Sequence, residues 1–192
     1  MKKLSAYLFV LLFTLQTSSL AVDIRDFQIE GMSVGDSLLD YYNEAKIKKV
    51  EKSFYPKSKK FYMITPNEKY ELYEAVTFTL KSKDKDYKIY QLKGLMTYEN
   101  KLNECLEEKD KILKEFSNIL KNSKEENYTD NFGGALGKSI AYISDFKVSN
   151  GFIRVWCADW DKKTEKEKNW VDTLNVDASS QEYLDWLNNE AN

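Results

Sequence analysis

Residues 139–160 constrain the fold more than any other stretch of the chain. Asn150-Gly151 stands between two runs, 139–148 and 152–160, in which apolar and polar residues alternate. This pattern predicts a hairpin closed by a two-residue type I′ turn, since both central positions of that turn need φ above zero. The turn would set the register, with Val148 opposite Ile153, Phe146 opposite Val155 and Ser144 opposite Cys157 on one face. The other face would then pair Lys147 with Arg154, Asp145 with Trp156, Ile143 with Ala158 and Ala141 with Trp160.

Residues 72–80 and 87–95 predict a second hairpin around the charged turn Lys83-Asp84-Lys85-Asp86, with Val76, Phe78 and Leu80 alternating with Thr77 and Thr79. Residues 100–120 predict the clearest helix. Leu102, Cys105, Leu106, Ile112, Leu113, Phe116, Ile119 and Leu120 recur at spacings of three and four. Short strands are expected over 24–29, 61–64 and 170–176. Ser33 is expected to cap a helix to about Ala45, with Asp36 in its first turn. Ser179-Ser180-Gln181-Glu182 reads as a capping box that opens a short C-terminal helix, and 121–130 reads as polar loop. The expected architecture is α+β: a mainly antiparallel sheet of two hairpins packed against one long amphipathic helix, with short N- and C-terminal helices.

The two cysteines tie these predictions together. Cys105 lies on the apolar stripe of the long helix and Cys157 on the hairpin face with Ile153 and Val155. Packing those faces together points the sulfurs at each other and predicts a disulfide that closes a long loop. Two buried thiols are the alternative, as is redox chemistry, which normally uses Cys-x-x-Cys.

Compartment follows from the first residues. Met1-Lys2-Lys3 is a basic head, residues 4–15 are mostly apolar, and Ser19-Leu20-Ala21 supplies small residues at a cleavage site. This is the pattern of a signal peptide over residues 1–21, leaving residues 22–192 as one domain, periplasmic or secreted. An uncleaved anchor is the alternative, although the run is short of the roughly 20 residues of a membrane span. No Cys follows the cleavage site to carry lipid, and no later run is long and apolar enough to cross a bilayer. Of the 192 residues, 171 remain after the leader, and loss of Lys2 and Lys3 moves the formal charge from −2 to −4. An acidic balance argues against nucleic-acid binding, in which a basic surface supplies most of the affinity.

Residues 131–143, Asn131 through Gly137-Lys138-Ser139 to Ile143, resemble a phosphate loop superficially. A Walker A loop needs Gly, four residues and then Gly-Lys-Ser/Thr between a strand and a helix. Here Phe132 occupies the first glycine position, and a strand rather than a helix follows. No nucleotide is expected. The chain has no histidine, which removes the His-based triads and the usual zinc sites. Asp159-Trp160-Asp161, with Glu165 and Glu167, has an acidic pattern, but Lys163 and Thr164 fall where a calcium loop needs an oxygen ligand and a Gly. No catalytic residue, cofactor or metal is therefore assigned.

Binding residues are easier to nominate. Trp156, Trp160, Trp170 and Trp186 all lie in the last quarter of the chain. Phe152, Arg154, Trp156 and Trp160 share the hairpin's second face and could form a stacking platform for a sugar or an apolar partner. The competing reading places that face in the core under the C-terminal segment and Trp186.

Ile29-Glu30-Gly31-Met32-Ser33-Val34-Gly35-Asp36-Ser37-Leu38-Leu39 resembles the opening of small exported proteins of low-GC marine alphaproteobacteria. Trp156-Cys157-Ala158-Asp159-Trp160 and Tyr183-Leu184-Asp185-Trp186-Leu187 are similar to that group too. Gly-Met-Ser before an apolar segment also resembles the BamE/SmpA-type envelope domain over about a dozen residues, without its lipoprotein Cys. Neither resemblance implies an activity. The expected function is a non-catalytic binding or envelope-associated module, whose partner would be an envelope protein or polymer. The alternative is a carboxylate-based hydrolase acting on an envelope or imported polymer, which requires a cleft where two carboxylates converge.

Overall fold

A computed structural model describes residues 22–120 and 123–191, so the leader expected over residues 1–21 lies outside the described residues. The segment expected to be an N-terminal helix is mostly not helical. β1 (Gln28–Ile29) and β2 (Met32–Ser33) pair about Glu30 and Gly31, both at positive φ. Asp36 accepts the Ser33 N–H at 2.8 Å, a 3₁₀ turn follows at Leu38–Asp40, and only the six residues of α1 (Glu44–Lys49) are α-helical. The physical reason is pairing with a neighbouring extended segment. Gly35 and Leu38 donate backbone N–H groups to the carbonyls of Ile89 and Tyr87, and Ile89 donates to Asp36, at 2.8 to 3.0 Å. Val34 and Leu38 are buried by that route, and their apolar spacing mimicked a helix.

The remaining elements run β3 (Ser53–Tyr55), β4 (Ser58–Ile64), β5 (Ala75–Lys81), β6 (Ile89–Thr97), α2 (Leu102–Ile119), β7 (Glu125–Asn131), β8 (Ile140–Val148), β9 (Gly151–Asp159), α3 (Lys162–Lys168), β10 (Thr173–Ser180) and α4 (Gln181–Asn189). This overturns the expected two-hairpin architecture. Among the described residues the strands from β3 onward form one eight-stranded antiparallel sheet in the order β3-β4-β5-β6-β10-β9-β8-β7, beside the separate β1-β2 pair and with four α-helices. The chain runs twice through a four-stranded meander followed by a helix, and the last strands of the two meanders, β6 and β10, meet at the centre. Among the described residues no long helix spans both hairpins. α2 packs on β9 and β10, and its Phe116 touches Phe27 and Phe146 edge-on, with ring centroids 5.3 and 5.9 Å away. On the same face the N-terminal segment supplies Met32, Val34, Leu38 and Ile47 to a core shared with Ile64, Val76, Phe78 and Ile89. Tyr42, just before α1, meets the Phe78 ring at 5.9 Å.

Cys105 and Cys157 form the disulfide, with Cα atoms 6.1 Å apart and both residues buried. Nearby, α2 places the buried Lys109 ammonium against the Ser144 hydroxyl at 2.6 Å, and Ser144 in turn bonds the Asn127 side chain. Burial holds the Lys109 pKa below its ordinary 10.5.

The β8–β9 register is displaced by two residues from the expected one. Val148 pairs with Gly151, Phe146 with Ile153, Ser144 with Val155 and Tyr142 with Cys157. Asn150 carries the positive φ, at +60°, and Gly151 begins the strand. A Cβ on Gly151 would stand 2.4 Å from the Ser179 carbonyl oxygen and 2.8 Å from Ile24. Gly151 therefore answers a close approach and not a turn conformation. Because the displacement is even, every side chain keeps its expected face.

The opposite face of the sheet is covered at one end by α4. Trp186 and Tyr183 pack there on Phe61 and Tyr90. Ser180, one residue beyond the expected cap Ser179, caps this helix by accepting the Tyr183 N–H at 3.3 Å. At the far edge β7 occupies the expected polar loop. All seven of its residues are exposed, and three are acidic, a composition that discourages further pairing at a sheet edge.

Candidate functional site

The part of the second face that α4 leaves open carries an ordered row of alternating charge. Strand register aligns Lys93 on β6, Asp177 on β10, Arg154 on β9 and Asp145 on β8, each directly opposite the next; Glu126 of β7, opposite Asp145, ends the alternation and pairs with Lys124 instead. Charges of opposite sign at paired positions attract across about 5 Å. The row beside it reads Leu95, Asn175, Trp156, Ile143 and Tyr128, and Phe152 lies on the other flank.

Arg154 grips Asp145 in a two-pronged pair, with Nε on Oδ1 at 2.7 Å and Nη2 on Oδ2 at 2.9 Å. Nη2 also donates to the Tyr128 hydroxyl at 2.8 Å, which itself donates to Asp145 Oδ2 at 2.8 Å. Burial, reinforced by the bond to Asp145, pushes the Tyr128 pKa up to about 12. Burial opposes the charge on Arg154, but the bond to Asp145 leaves its pKa above the ordinary value. The guanidinium lies 5.6 Å from the Phe152 ring centroid.

Trp156 reaches over β10. Its Nε1 donates to Asp177 Oδ2 at 2.8 Å, and the Lys93 ammonium sits 5.5 Å from its ring centroid. This explains why Asn175 and Asp177, on the open face of a central strand, are only 2 % and 7 % exposed. The second oxygen of Asp177, Oδ1, is buried without a hydrogen-bond partner; Lys93 Nζ stands 3.8 Å from it. Arg154 and Lys93 keep 36 % and 29 % of their side-chain surface, against 8 % and 9 % for the carboxylates beneath them. From Lys93 to Asp145 what reaches solvent is cationic, with the half-buried Trp156 and Phe152 rings beside it; the exposed carboxylate of Glu126 lies beyond, at the β7 edge.

Of the four residues nominated from sequence, Phe152, Arg154 and Trp156 are together on this face, half-buried. Trp160 is placed elsewhere. It stacks on Phe132 at 5.0 Å and meets Trp170 at 4.7 Å, at the end of β9. Trp186 covers Phe61 and Tyr90. Sequence reasoning missed Asp177 and Lys93 and paired Asp145 with the wrong neighbour. Leu174-Asn175-Val176-Asp177-Ala178-Ser179 alternates perfectly, a signal that could have marked Asp177 as outward-facing.

The glycine-rich loop holds an anion of the protein's own. Gly133, Gly134 and Gly137 all have positive φ. The Asp161 carboxylate accepts from Lys138 N at 2.6 Å, Thr164 N at 2.9 Å and Lys163 N at 3.0 Å, so it both caps α3 and fills the loop. Those backbone bonds, first from Thr164 and then from Lys138, hold its pKa below the usual carboxylate range. A Cβ on Gly137 would lie 1.8 Å from Asp161 Oδ2. Gly137→Ala is therefore expected to lower stability by about 1–2 kcal/mol, measured as a shift in urea midpoint. Gly134→Ala, where nothing lies within 4 Å, should cost less. Equal losses at both positions would remove Asp161 from the loop.

The acidic residues near this loop do not build a hydrolytic centre. Asp159 has its pKa raised, by burial first and by Asp172 second. Asp172 is committed to Trp160 N at 2.8 Å and Asn100 N at 3.2 Å, bonds that tie the end of β9 to the start of α2. Among the described residues no three His, Cys, Asp or Glu side chains are grouped to hold a metal. Open depressions of about 620 and 410 Å³ flank the 82–86 turn and contain none of the residues of the charged row. Among the described residues no helix is long and apolar enough to cross a membrane. No protein family, curated protein or solved structure matches the chain. Its chemistry has to be argued from its own geometry.

Proposed function

We propose that the protein is a non-catalytic binding module of the cell envelope, exported by its N-terminal leader, that takes a saccharide on the open face of β6, β10, β9 and β8. The observation that carries this reading is Trp156: a half-buried indole fixed by its Nε1 on buried Asp177 and set beside polar side chains. A rigid aromatic ring offers the C–H face of a sugar a large contact at small entropic cost, and neighbouring polar groups orient the hydroxyls. Asp145 is spent on Arg154, and Asp177 is buried against Trp156 Nε1 and Lys93, so neither carboxylate is left facing a water as a hydrolase would need, which favours binding over hydrolysis. The Cys105–Cys157 bond supports an oxidising compartment. No nucleotide or nucleic acid is required by this reading.

The test is calorimetric titration with a panel of soluble hexasaccharides, neutral and acidic. At least one should bind saturably, and Trp156→Ala should weaken it tenfold or more while the circular dichroism spectrum stays unchanged. Absence of binding across the panel at millimolar sugar, or equal affinity in the variant, would defeat the proposal.

A further inference from the structure

We infer that the saccharide recognised on this face is acidic, carrying a carboxylate on its ring; this rests on the binding reading above and names its ligand class. The row leaves hydrogen-bond donors unused. Arg154 spends Nε and Nη2 on Asp145 and Tyr128, and Nη1 makes no hydrogen bond among the described residues. Lys93 Nζ makes none either, standing 3.8 Å from Asp177 Oδ1 and over the Trp156 ring. Two cations with free donors thus stand beside aromatic rings on this face, Lys93 over Trp156 and Arg154 by Phe152, on strands separated only by β10.

Their carboxylate partners do not compete for a ligand's charge at the surface, because Asp145 and Asp177 lie beneath, more than nine-tenths buried. A ligand carboxylate can accept from the remaining Arg154 donor, Nη1, or from the Lys93 ammonium, each a charge-assisted bond. Asp177 Oδ1 supplies the complementary demand. It is a buried acceptor with no donor, an arrangement that carries a desolvation penalty until it is filled. A sugar hydroxyl beside the acid group is a donor of the right kind. Lys93 is the mobile piece: drawn from above Asp177 onto the ligand carboxylate, its long stem uncovers the acceptor and the ring together. A neutral sugar would use the ring and the acceptor but leave the Arg154 Nη1 and Lys93 donors without an acceptor, and an anion without a polyhydroxylated ring would forgo the ring and Asp177 Oδ1.

The experiment uses the mature protein and two probes of equal length, a hexagalacturonate and cellohexaose. By calorimetry at low salt, the uronate should bind at least tenfold tighter, and that advantage should shrink as sodium chloride is raised towards 0.5 M. Lys93→Met keeps the apolar stem and removes the charge; it should abolish most of the preference while the circular dichroism spectrum stays unchanged. Trp156→Ala should weaken both probes. Equal affinities for the two probes, or a preference that survives in both Lys93→Met and Arg154→Gln, would overturn the acidic ligand while leaving a Trp156-dependent platform standing. Failure of both probes to bind would overturn this inference, and the platform with it only if the rest of the hexasaccharide panel failed as well.

Discussion

Replacing Cys105 and Cys157 together by Ala is expected to lower the stability of the mature protein by about 4 kcal/mol. The bond joins residues 52 apart in sequence. In the chain-entropy description, closing a loop of that length removes about 4 kcal/mol of freedom from the unfolded chain. The folded state gives little back. Both cysteines are buried, at 1 % and 0 % exposure, so truncation also leaves small voids between α2 and β9. For a chain of this size each kcal/mol corresponds to roughly 2–4 °C in melting temperature, and the expected loss is about 8–16 °C. Urea unfolding should show the lower midpoint, and peptide mapping of non-reduced protein should return one cross-linked pair. Oxidised and double-Ala proteins equal to within 1 kcal/mol would show that the bond constrains nothing.

That bond was legible in sequence because each of its ends depends on local periodicity alone. Cys105 follows the threes and fours of α2, and Cys157 follows the alternation of β9, whose faces survive any even change of register. The same logic explains what was missed. Glu125-Glu126-Asn127-Tyr128-Thr129-Asp130-Asn131 becomes a strand with no apolar alternation, because it lies at an edge and needs only the backbone of β8. Val34 and Leu38 have helical spacing, yet they are buried by backbone bonds to a segment about fifty residues away, which no local pattern announces. The register of β8 and β9 was mistaken because Asn150-Gly151 carries two demands: the turn uses Asn150, while Gly151 is reserved for contact with Ser179 and Ile24.

The candidate site was legible only in part, for a related reason. Phe152, Arg154 and Trp156 share a strand, so their common face follows from period two. Their partners arrive from three other strands. Lys93 comes from the first meander, and its place beside Asp177 depends on the central β6–β10 pairing, which joins residues 84 apart. Asp145 meets Arg154 only in the observed register; in the expected one it would face Trp156, and the two-pronged pair could not form. A charge row across four strands is a property of topology.

Trp186→Ala is expected to cost about 3–5 kcal/mol, the usual range for emptying a buried aromatic site. Trp186 is 2 % exposed. Its ring centroid lies 4.8 Å from that of Phe61, 4.9 Å from Tyr55 and 5.9 Å from Tyr183. These rings, with Tyr90, Leu187 and Ala191, form the smaller core under α4. A nine-residue helix is too short to persist without tertiary contacts, so losing the ring should loosen α4 from the sheet as well as leave a cavity. Trp186→Phe separates ring from donor. The indole Nε1 is buried without a hydrogen-bond partner, and an orphaned buried donor costs about 1–3 kcal/mol. Phe forfeits part of the indole's packing but removes that penalty, so its net loss should be about 1 kcal/mol or less. Chemical denaturation of the three proteins decides the matter, read as midpoints at an unchanged slope. An Ala variant within 1 kcal/mol of the parent would mean that α4 is not docked through Trp186. A Phe variant as damaged as Ala would mean that the indole N–H makes a bond worth keeping, and that the aromatic cluster is arranged around it.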